Sequence, residues 1–583
     1  MKKLLILVAI ICALALAFTS CDLFGGGNNS GNGGSANNGG ENSGEQGGEN
    51  GGNETEDGGN TEDGGNTEDG GNTEDGGNTE DGENTEDGGN TEDGGNNESV
   101  YSQGLEFTSK GDGTCYVSGI GSCTDADVII PSTSPDGDSV TSIGGFAFED
   151  CSSLTSVVIP DSVTSIGYFA FRDCTSLTSV VIPDSVTSIG DYAFYGCSSL
   201  TSVVIPDSVT SIGDFAFEDC SSLTSVVIPD SVTSIGDRAF RWCDSLTSVV
   251  IGDSVNSIGW AAFSYCDSLT SVVIPDSVTS IGDEAFRWCD SLTSVVIGDS
   301  VTSIGYEAFI GCSSLTSVVI PDNMTSIGDS AFNGCKSLTS VVIPDNVTTI
   351  GNWAFDGCKS LTSVVIPDSV TSIGDWAFSY CFSLTEITVS ANNENYKSID
   401  GNLYTKDGKT LIQYAIGKTA TEFAIPDSVT SIGDGAFGGC DSLTSVVIGD
   451  SVTSIGDVAF SYCFSLTEII VSENNENYKS IDGNLYTKDG KTLIQYAIGK
   501  TATEFTIPDS VTSIGDWAFS GCYNLTSVVI PDSVTSIGYE AFSSCYSLTD
   551  VYYTGSEAQW ESISIGYGNE DLTDATIHYN YEK

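Results

Sequence analysis

The sequence predicts a repeat solenoid that is rich in short parallel β-strands and is preceded by a disordered N-terminal region. One cysteine recurs every 23 residues from position 151 to position 381. A fixed period of about 20 to 30 residues is typical of stacked supersecondary units. The later intervals are 59, 23, 59 and 23 residues, and since 59 is 23 plus 36, a 36-residue insert enters the array twice. The repeated cysteines are Cys151, Cys174, Cys197, Cys220, Cys243, Cys266, Cys289, Cys312, Cys335, Cys358, Cys381, Cys440, Cys463, Cys522 and Cys545.

Each coil is predicted to contain a short strand, a turn, a second extended segment and a short helical or 3-10 turn. Residues 185–207, "SVTSIGDYAFYGCSSLTSVVIPD", show the pattern. β-branched residues favour a strand near the end, with Leu200, Val203 and Ile205 facing inward. Asp191 is a good N-cap for "YAFYGC", whose apolar residues have helical or 3-10 spacing. A lone coil buries too little apolar surface to offset the entropy of ordering it, so the coils must stack.

The first residues predict export from the cytoplasm. Lys2 and Lys3 precede the apolar run "LLILVAIICALALAF", which is too short for a comfortable membrane span and typical of a signal peptide. The run ends at "FTSC" and resembles a bacterial lipoprotein signal, which implies that Cys21 is acylated and becomes the new N-terminus. An ordinary secretory signal that ends beside an unrelated cysteine is the alternative.

Residues 21–100 predict an acidic, disordered tether. The hexapeptide "NTEDGG" recurs from residue 60, and residues 22–100 hold 21 acidic side chains with no lysine or arginine. Such a segment buries no apolar area that would offset chain entropy, and as a flexible coil it spans about 50 Å. Calcium binding is the alternative, but the glycine-rich nonapeptide and EF-hand spacings are absent from the sequence.

Composition and motifs argue against catalysis and nucleic-acid binding. The formal net charge of −63 repels nucleic acid, and His578 is the only histidine. Sequence patterns of serine hydrolases, zinc proteases, P-loops and Cys-x-x-Cys sites do not occur. Aspartates that recur after the strand, such as Asp161, Asp184 and Asp207, are expected to cap their own turns, with divalent-ion binding as the alternative. We therefore expect no cofactor and no resident metal.

The repeated cysteine is predicted to be a buried core side chain. Parallel stacked side chains point the same way, so neighbours such as Cys197 and Cys220 do not face each other as a disulfide requires. No histidine or nearby second cysteine completes a metal site, and a buried thiol behaves as a small hydrophobe. Outside the regular series, Cys115 and Cys123 are the better candidates for a disulfide in an exported chain.

The repeat "IPDSVTSIGDYAFYGCSSLTSV" resembles the BspA-type leucine-rich repeat family of bacterial surface proteins. Isoleucine-proline, Ile-Gly, Ala-Phe, Cys and Leu recur in this order from about residue 104 to the end. The lead-in, the C-terminal segment and the inserts beginning at Asn395 and Asn477 are also similar to parts of that family. The resemblance implies a leucine-rich-repeat array, surface display, adhesion to host or bacterial partners, and no catalysis.

The inserts predict small antiparallel meanders, because "SIDGNLY" and "TKDGKTLIQY" place Asp-Gly pairs between strand-like residues. Of the 16 lysines and arginines beyond residue 100, eight lie in the inserts. They either protect hairpin edges from aggregation or form a basic contact patch. The predicted segments are a signal peptide (1–20), tether (21–100), lead-in (101–139), solenoid (140–389), insert (390–425), solenoid (426–471), insert (472–507), solenoid (508–550) and C-terminal cap (551–583).

The coils differ from one another mainly in one segment, the cassette, which runs from the Ile-Gly pair to the cysteine. Aromatic and arginine side chains, the usual anchors of protein interfaces, gather there. Coverage of apolar coil edges is the alternative interpretation. The candidate partner-binding residues are Phe146, Phe169, Tyr192, Tyr195, Phe215, Arg238, Trp242, Tyr265, Trp288, Trp353, Trp376, Tyr380 and Trp517.

These observations favour a lipid-anchored surface protein that binds host extracellular-matrix proteins or other bacterial surface proteins. The membrane would be contacted only through the lipid. A structural coat or spacer without a specific ligand is one alternative, and a polysaccharide-binding module is another. An enzyme is the least favoured class, since no nucleophile has a positioned base.

Overall fold

The computed structural model describes residues 101–583, so the predicted signal peptide, Cys21 and the acidic tether lie outside the described residues. Residues 101–583 form a solenoid whose strands pair mostly in parallel with the strand one coil away. Partners are 23 residues apart in sequence, as for Ser225 with Ser248 and Ile228 with Ile251. The predicted β-rich repeat solenoid is therefore confirmed.

Ladder one is a thirteen-stranded sheet built mainly from the Ser-Ile dipeptides of successive coils. The isoleucines of these strands are buried, except for the half-buried Ile373, and threonine hydroxyls reinforce the stacking, as where Thr187 Oγ1 donates to the Thr164 carbonyl at 3.2 Å. Only its first two strands are antiparallel. The strands are Glu106–Ser109, Thr114–Gly119, Ser139–Ile143, Ser165–Ile166, Ser188–Ile189, Ser211–Ile212, Ser234–Ile235, Ser257–Ile258, Ser280–Ile281, Ser303–Ile304, Ser326–Ile327, Thr349–Ile350 and Ser372–Ile373.

Ladder two is formed by the Ser-Val-Val-Ile strands and is divided into sheets of four, six and two strands before the first insert. Alternation places one valine of each pair inside, as with Val203, and the next outside, as with Val204. The strands are Asp127–Ile129, Ser156–Val158, Ser179–Val181, Ser202–Val204, Ser225–Ile228, Ser248–Ile251, Ser271–Ile274, Ser294–Ile297, Ser317–Val319, Ser340–Val341, Ser363–Ile366 and Glu386–Val389.

The cassette forms a third set of contacts between coils, ladder three. Every second amide donates to the next coil, as where Phe148 N bonds the Ala170 carbonyl at 2.8 Å. The intervening amides donate to the carbonyl three residues earlier, as from Glu149 to Phe146 at 3.2 Å, and Phe146 has a φ of +63°. The predicted helical or 3-10 turn is thus corrected to tight turns with alternating left-handed residues, because an uninterrupted helix would use these amides within the coil.

Aspartates connect coils instead of capping their own turns. Asp191, predicted to be an N-cap, accepts a hydrogen bond from the Asp214 amide in the next coil at 3.0 Å. Asp230, which follows the strand, likewise accepts from the Asp253 amide at 2.8 Å. The prediction of local caps is wrong at these positions, because the stacked coil brings the equivalent amide within reach of the carboxylate.

The interior of each coil stacks on the same residue of the next coil. A column of buried phenylalanines runs from Phe148 to Phe378, with ring centroids 5.0 to 5.6 Å apart and nearly parallel planes. Valine, isoleucine, leucine and alanine fill the remaining space. Offset stacking of this kind adds to the hydrophobic stabilisation of the burial itself.

The repeated cysteines are free thiols, and all but the half-buried Cys151 are buried, which confirms their prediction as core side chains. Twelve of them donate to the phenylalanine carbonyl 26 residues earlier at 3.0 to 3.3 Å, beginning with Cys174 to Phe148. Burial raises the pKa of Cys174 and of the thiols after it up to Cys381.

The predicted disulfide between Cys115 and Cys123 is not formed, since both thiols are free. Cys115 is buried in a strand, where its Sγ lies 3.6 Å from the Asp138 carbonyl as a weak donor. Cys123 is half-buried in the loop after that strand. Burial raises the pKa of Cys151, and the charges of Asp150 and Cys123 act in the same direction.

Each insert is a three-stranded antiparallel meander whose last strand continues in parallel into the following coils, as predicted. The meander strands are Tyr396–Ile399, Asn402–Thr405 and Thr410–Gln413, then Tyr478–Ile481, Asn484–Thr487 and Thr492–Gln495. The coil strands after the first insert are Glu422–Ala424, Ser431–Ile432, Ser445–Ile448, Ser454–Ile455 and Glu468–Val471; those after the second are Glu504–Thr506, Ser513–Ile514, Ser527–Ile530, Ser536–Ile537, Asp550–Tyr553, Ser564–Ile565 and Thr576–His578.

The inserts satisfy the backbone groups that an interrupted ladder leaves open. The Tyr396 hydroxyl accepts from the Ile373 amide at 3.0 Å, at the last strand of ladder one. The buried Asn393 amide donates to the carbonyls of Pro367 and Val370 at 2.7 and 2.9 Å. Buried backbone groups without hydrogen-bond partners destabilise the fold, so these side chains allow the insert to interrupt the array of coils, which continues after it.

The C-terminal segment covers the last coil with two short helices, Glu557–Trp560 and Glu570–Thr573. Ser556 and Gln559 form a capping box at the first helix. His578 bonds Asp550 at 2.7 Å and stacks on Tyr552. This histidine therefore anchors the final strand to its neighbour.

We predict that the fourteen buried thiols from Cys174 to Cys545 resist alkylation in the folded chain. Burial blocks access of the reagent, and for thiols such as Cys220 it also raises the pKa, which disfavours the reactive thiolate. Brief treatment with iodoacetamide followed by mass spectrometry should label Cys123 and Cys151 first, and labelling in guanidinium should reach every cysteine. Rapid labelling of Cys197 in the native chain would contradict this packing.

Candidate binding surface

The thirteen candidate side chains lie along the cassette surface, defined as the outer side of ladder three. Phe146, Trp242, Trp288 and Trp353 are exposed. The others are half-buried, namely Phe169, Tyr192, Tyr195, Phe215, Arg238, Tyr265, Trp376, Tyr380 and Trp517. These positions come from successive coils, so residues distant in sequence become neighbours one coil apart.

Twelve of the thirteen, all except Tyr195, occupy left-handed backbone positions with φ between +51° and +63°. Bulky side chains are disfavoured there, at a cost of roughly 1 kcal/mol or more each. Glycine occupies the equivalent position in other coils, for example Gly311 and Gly435. Since the backbone itself favours glycine, the aromatic residues on this surface are better explained by what their side chains contact.

The first part of the cassette surface is a column of stacked rings. Phe146, Phe169, Tyr192 and Phe215 follow one another with centroids 5.1, 4.6 and 4.3 Å apart. The column continues with Arg238, whose guanidinium lies 5.2 Å from the Phe215 ring centroid and 4.1 Å from that of Trp260. The result is a continuous aromatic and cationic strip.

All four arginines of the sequence, Arg172, Arg238, Arg241 and Arg287, lie on this surface. Three of them pair with a glutamate one coil earlier or later: Arg172 with Glu149 at 3.1 Å, Arg241 with Glu218 at 3.5 Å, and Arg287 with Glu307. Arg287 also pairs with Glu284 of its own coil. Glutamates in this region of the surface are thus neutralised from inside the protein.

Glu218 and Arg241 form the most buried of these pairs, with 3% and 18% of their side chains exposed. Burial raises the pKa of Glu218, and the charges of Arg241 and Arg238 act in the opposite direction. Around them a cavity of about 440 Å³ is lined by Arg172, Tyr195 and Trp242 among others. Tyr265 continues the row, with its ring 6.2 Å from that of Trp242.

The second part of the cassette surface lies on both sides of the inserts in sequence. Trp353 and Trp376 stack at 5.1 Å, and the Tyr380 ring meets that of Tyr462 edge-on at 5.8 Å. Together with Trp517 they line a cavity of about 230 Å³. Trp288 belongs to neither part of the cassette surface. Its ring packs against Gly311 of the next coil.

The strand surface carries a feature that sequence reasoning missed. The second valine of each Val-Val pair in ladder two, except the half-buried Val296, is exposed, by 43% at Val273 and by 78% at Val342. The strict inside–outside alternation of a strand signals this column. The exposed valines of the column are Val158, Val181, Val204, Val227, Val250, Val273, Val319, Val342 and Val365.

Four of the eight insert lysines bond polar groups of their own inserts. Lys418 bonds the Asn402 side chain at 3.0 Å and the Asp400 carbonyl, and Lys488 bonds the Glu473 carbonyl at 2.9 Å. Lys406 and Lys500 contact backbone carbonyls of their own inserts in the same way. These ammonium groups hold loops of the meander together, which favours the structural interpretation over a free basic patch.

Within residues 101–583, no group of three or more histidine, cysteine, aspartate or glutamate side chains is arranged to hold a metal ion. Nor does that range contain a helix with the length and apolar character needed to cross a bilayer.

Comparison with known proteins identifies a family and several solved relatives. The family described as "BspA type Leucine rich repeat region (6 copies)" matches residues 132–243, 210–338, 302–406, 413–493 and 495–581. None of the curated proteins matches the chain.

Three of the solved structures similar to the chain are bacterial leucine-rich repeat proteins. A leucine rich cell surface protein from Faecalibacterium prausnitzii is 31% identical, with 79% of this chain and 96% of that chain covered and a TM-score of 0.41. A leucine-rich repeat protein from Bacteroides ovatus is 26% identical, with 82% and 98% covered and a TM-score of 0.45. One from Eubacterium ventriosum is 27% identical, with 54% and 84% covered and a TM-score of 0.39.

We predict that Arg241→Ala destabilises the array by about 3 kcal/mol at pH 8, because it leaves the buried Glu218 carboxylate without its partner. The folded-state pKa of Glu218 is already raised, and it rises further without the arginine. The loss therefore grows as pH increases and is smaller at pH 5. Urea unfolding followed by circular dichroism measures it.

The double variant Glu218→Gln with Arg241→Ala is the matched control and should recover most of the lost stability. An equal loss at pH 5 and pH 8 would show that Arg241 acts by packing alone, not by neutralising Glu218.

Proposed function

This chain belongs to the BspA-type leucine-rich repeat family, and on that premise we propose that it is a cell-surface protein that binds partner proteins through its cassette surface. The observation that carries the proposal is the contrast between an almost invariant coil and aromatic or arginine side chains concentrated at left-handed positions of one surface. Such side chains dominate the energetics of protein interfaces. The partners are host extracellular-matrix proteins or surface proteins of other bacteria.

The proposal includes a lipid anchor at Cys21 and an acidic segment, residues 21–100, between the anchor and the solenoid. The apolar run before Cys21 and the strongly acidic composition of the segment support this arrangement. Binding rather than catalysis is proposed because the family and the fold are repeat scaffolds. A partner would meet the rigid array at a distance from the lipid.

We predict that alanine at Trp242, Trp288, Trp353 and Trp376 together abolishes capture of the partner, since these variants remove large exposed or half-exposed rings from the proposed interface. The measurement is a pull-down from serum, matrix extract and neighbouring bacteria with the full chain as bait.

A control variant carries Val204→Ala, Val227→Ala and Val342→Ala, which remove exposed apolar side chains from the strand surface. It should capture the partner as well as the parent chain does. Capture that survives the tryptophan changes and fails with the valine changes would place the interface on the strands. A sharp glycan ligand without any protein ligand would favour the polysaccharide-binding alternative, and no ligand of either kind would favour a spacer.

We also predict that Cys21→Ala prevents acylation and releases the protein from cells. Labelling with a palmitate analogue in the producing bacterium, followed by fractionation, measures both effects. Cys12→Ala, within the apolar run, is the control and should leave labelling unchanged. Equal labelling of the two variants would exclude Cys21 as the attachment point.

A further inference from the structure

The 230 Å³ cavity in the second part of the cassette surface combines aromatic rings with carboxylates. Its walls include the rings of Trp353, Trp376, Tyr380 and Trp517. Asp356 lies among them, and none of the thirteen lining residues is a lysine, arginine or histidine. The cavity therefore offers faces of π-electron density and negative charge, with no positive side chain of its own in its lining.

One oxygen of the Asp356 carboxylate lacks a hydrogen-bond partner among the described residues. Its Oδ1 atom is fully buried and has no hydrogen-bond partner within residues 101–583, and the Ser379 hydroxyl beside the cavity is buried without a partner as well. Burial raises the pKa of Asp356 to about 7. Burial raises the pKa of Tyr380, Cys358 and Cys381, and the charge of Asp356 raises these pKa values further. These three side chains are therefore neutral near pH 7.

Other coils of the same protein show what such a carboxylate contacts when a partner is present. Glu149 and Glu218 occupy the position of Asp356 in their own cassettes, directly after the Ala-Phe pair. Each pairs with the arginine that is 23 residues later, Arg172 or Arg241. The residue 23 positions after Asp356 is Ser379, so the internal arginine is missing here.

The Arg241 site also shows how rings and carboxylate act together. The Arg241 guanidinium carbon lies 3.9 Å from the centroid of the Trp242 ring while the side chain pairs with Glu218. A cation over an aromatic face contributes roughly 0.5 to 2 kcal/mol, more when water is excluded. The Asp356 cavity provides the same two components, and Glu540, which accepts from Trp517 Nε1 at 3.3 Å, adds a second carboxylate.

We propose that this cavity binds the basic side chain of a lysine or arginine residue on a partner protein, with Asp356 as its counterion. The inference rests on the proposed adhesive function and specifies the chemistry of the partner. A neutral sugar also stacks on tryptophan, but it brings no charge to compensate the buried carboxylate. An anionic ligand would meet two carboxylates and no cation.

The experiment titrates the full chain with two peptides that differ by one charge, acetyl-Gly-Lys-Gly-amide and acetyl-Gly-norleucine-Gly-amide, and follows tryptophan fluorescence. The lysine peptide should bind saturably at pH 8, and the norleucine peptide at least tenfold more weakly. Affinity for the lysine peptide should fall as pH decreases from 8 to 5.5, because Asp356 becomes protonated and neutral through that range.

Asp356→Asn should lower affinity for the lysine peptide at least tenfold at pH 8 and remove the pH dependence. Glu218→Gln, at the same cassette position in another coil, is the matched control and should keep the affinity within twofold. Thermal unfolding checks folding: Asp356→Asn removes a buried, unpaired charge, so its melting temperature at pH 8 should not fall.

Equal affinity for the two peptides, or unchanged affinity in Asp356→Asn, would overturn the inference. Suppose that neither peptide binds, but the parent chain captures a partner that the tryptophan variant does not capture. The proposed adhesion is then supported, and the proposed site for a basic side chain is excluded. If the lysine peptide binds but the full chain captures no partner, the site stands and the adhesive function fails. Binding of a neutral glycan that depends on Asp356, without lysine binding, would assign the cavity to carbohydrate.

Discussion

Hydrogen bonding between coils at a fixed offset of 23 residues is the constraint on which the whole structure depends. A single coil has too small a core to fold, so its backbone groups must find partners in the coils before and after it. Ladders one and two supply conventional strand pairing, and ladder three uses every second amide of the cassette. Cysteine thiols, threonine hydroxyls and aspartate carboxylates extend the same connections through side chains.

This constraint separates the residues that maintain the fold from those that are free to vary. A side chain that points inward must stack on its own counterpart, which explains the near identity of Phe, Leu and Cys from coil to coil. The outward positions of the cassette have no such requirement. Directly after the Ala-Phe pair, Glu149 and Glu218 are each paired with an arginine one coil later, whereas Asp356 at the same position has a serine there and lies in a negative cavity.

The meanders follow from Asp-Gly pairs between strand-like residues, and sequence periodicity was sufficient to predict the solenoid and its stacked, buried thiols. It was insufficient for the cassette, since apolar residues spaced three apart fit a 3-10 turn and the observed alternating turns equally well. The prediction of an N-cap at Asp191 is wrong for a related reason: its carboxylate accepts from an amide of the next coil, and that contact depends on which coil stacks on it. Alignment of the coils in register would have exposed the missing arginine opposite Asp356.

The core is divided into three buried clusters, and the divisions fall between Leu403 and Tyr404 and between Leu485 and Tyr486, within the middle strand of each meander. Adjacent residues of one strand thus face two different compartments, as the inward–outward alternation requires. Gain or loss of one 23-residue unit leaves all three ladders in register, so unequal recombination between repeats changes the length of the array without requiring a new fold.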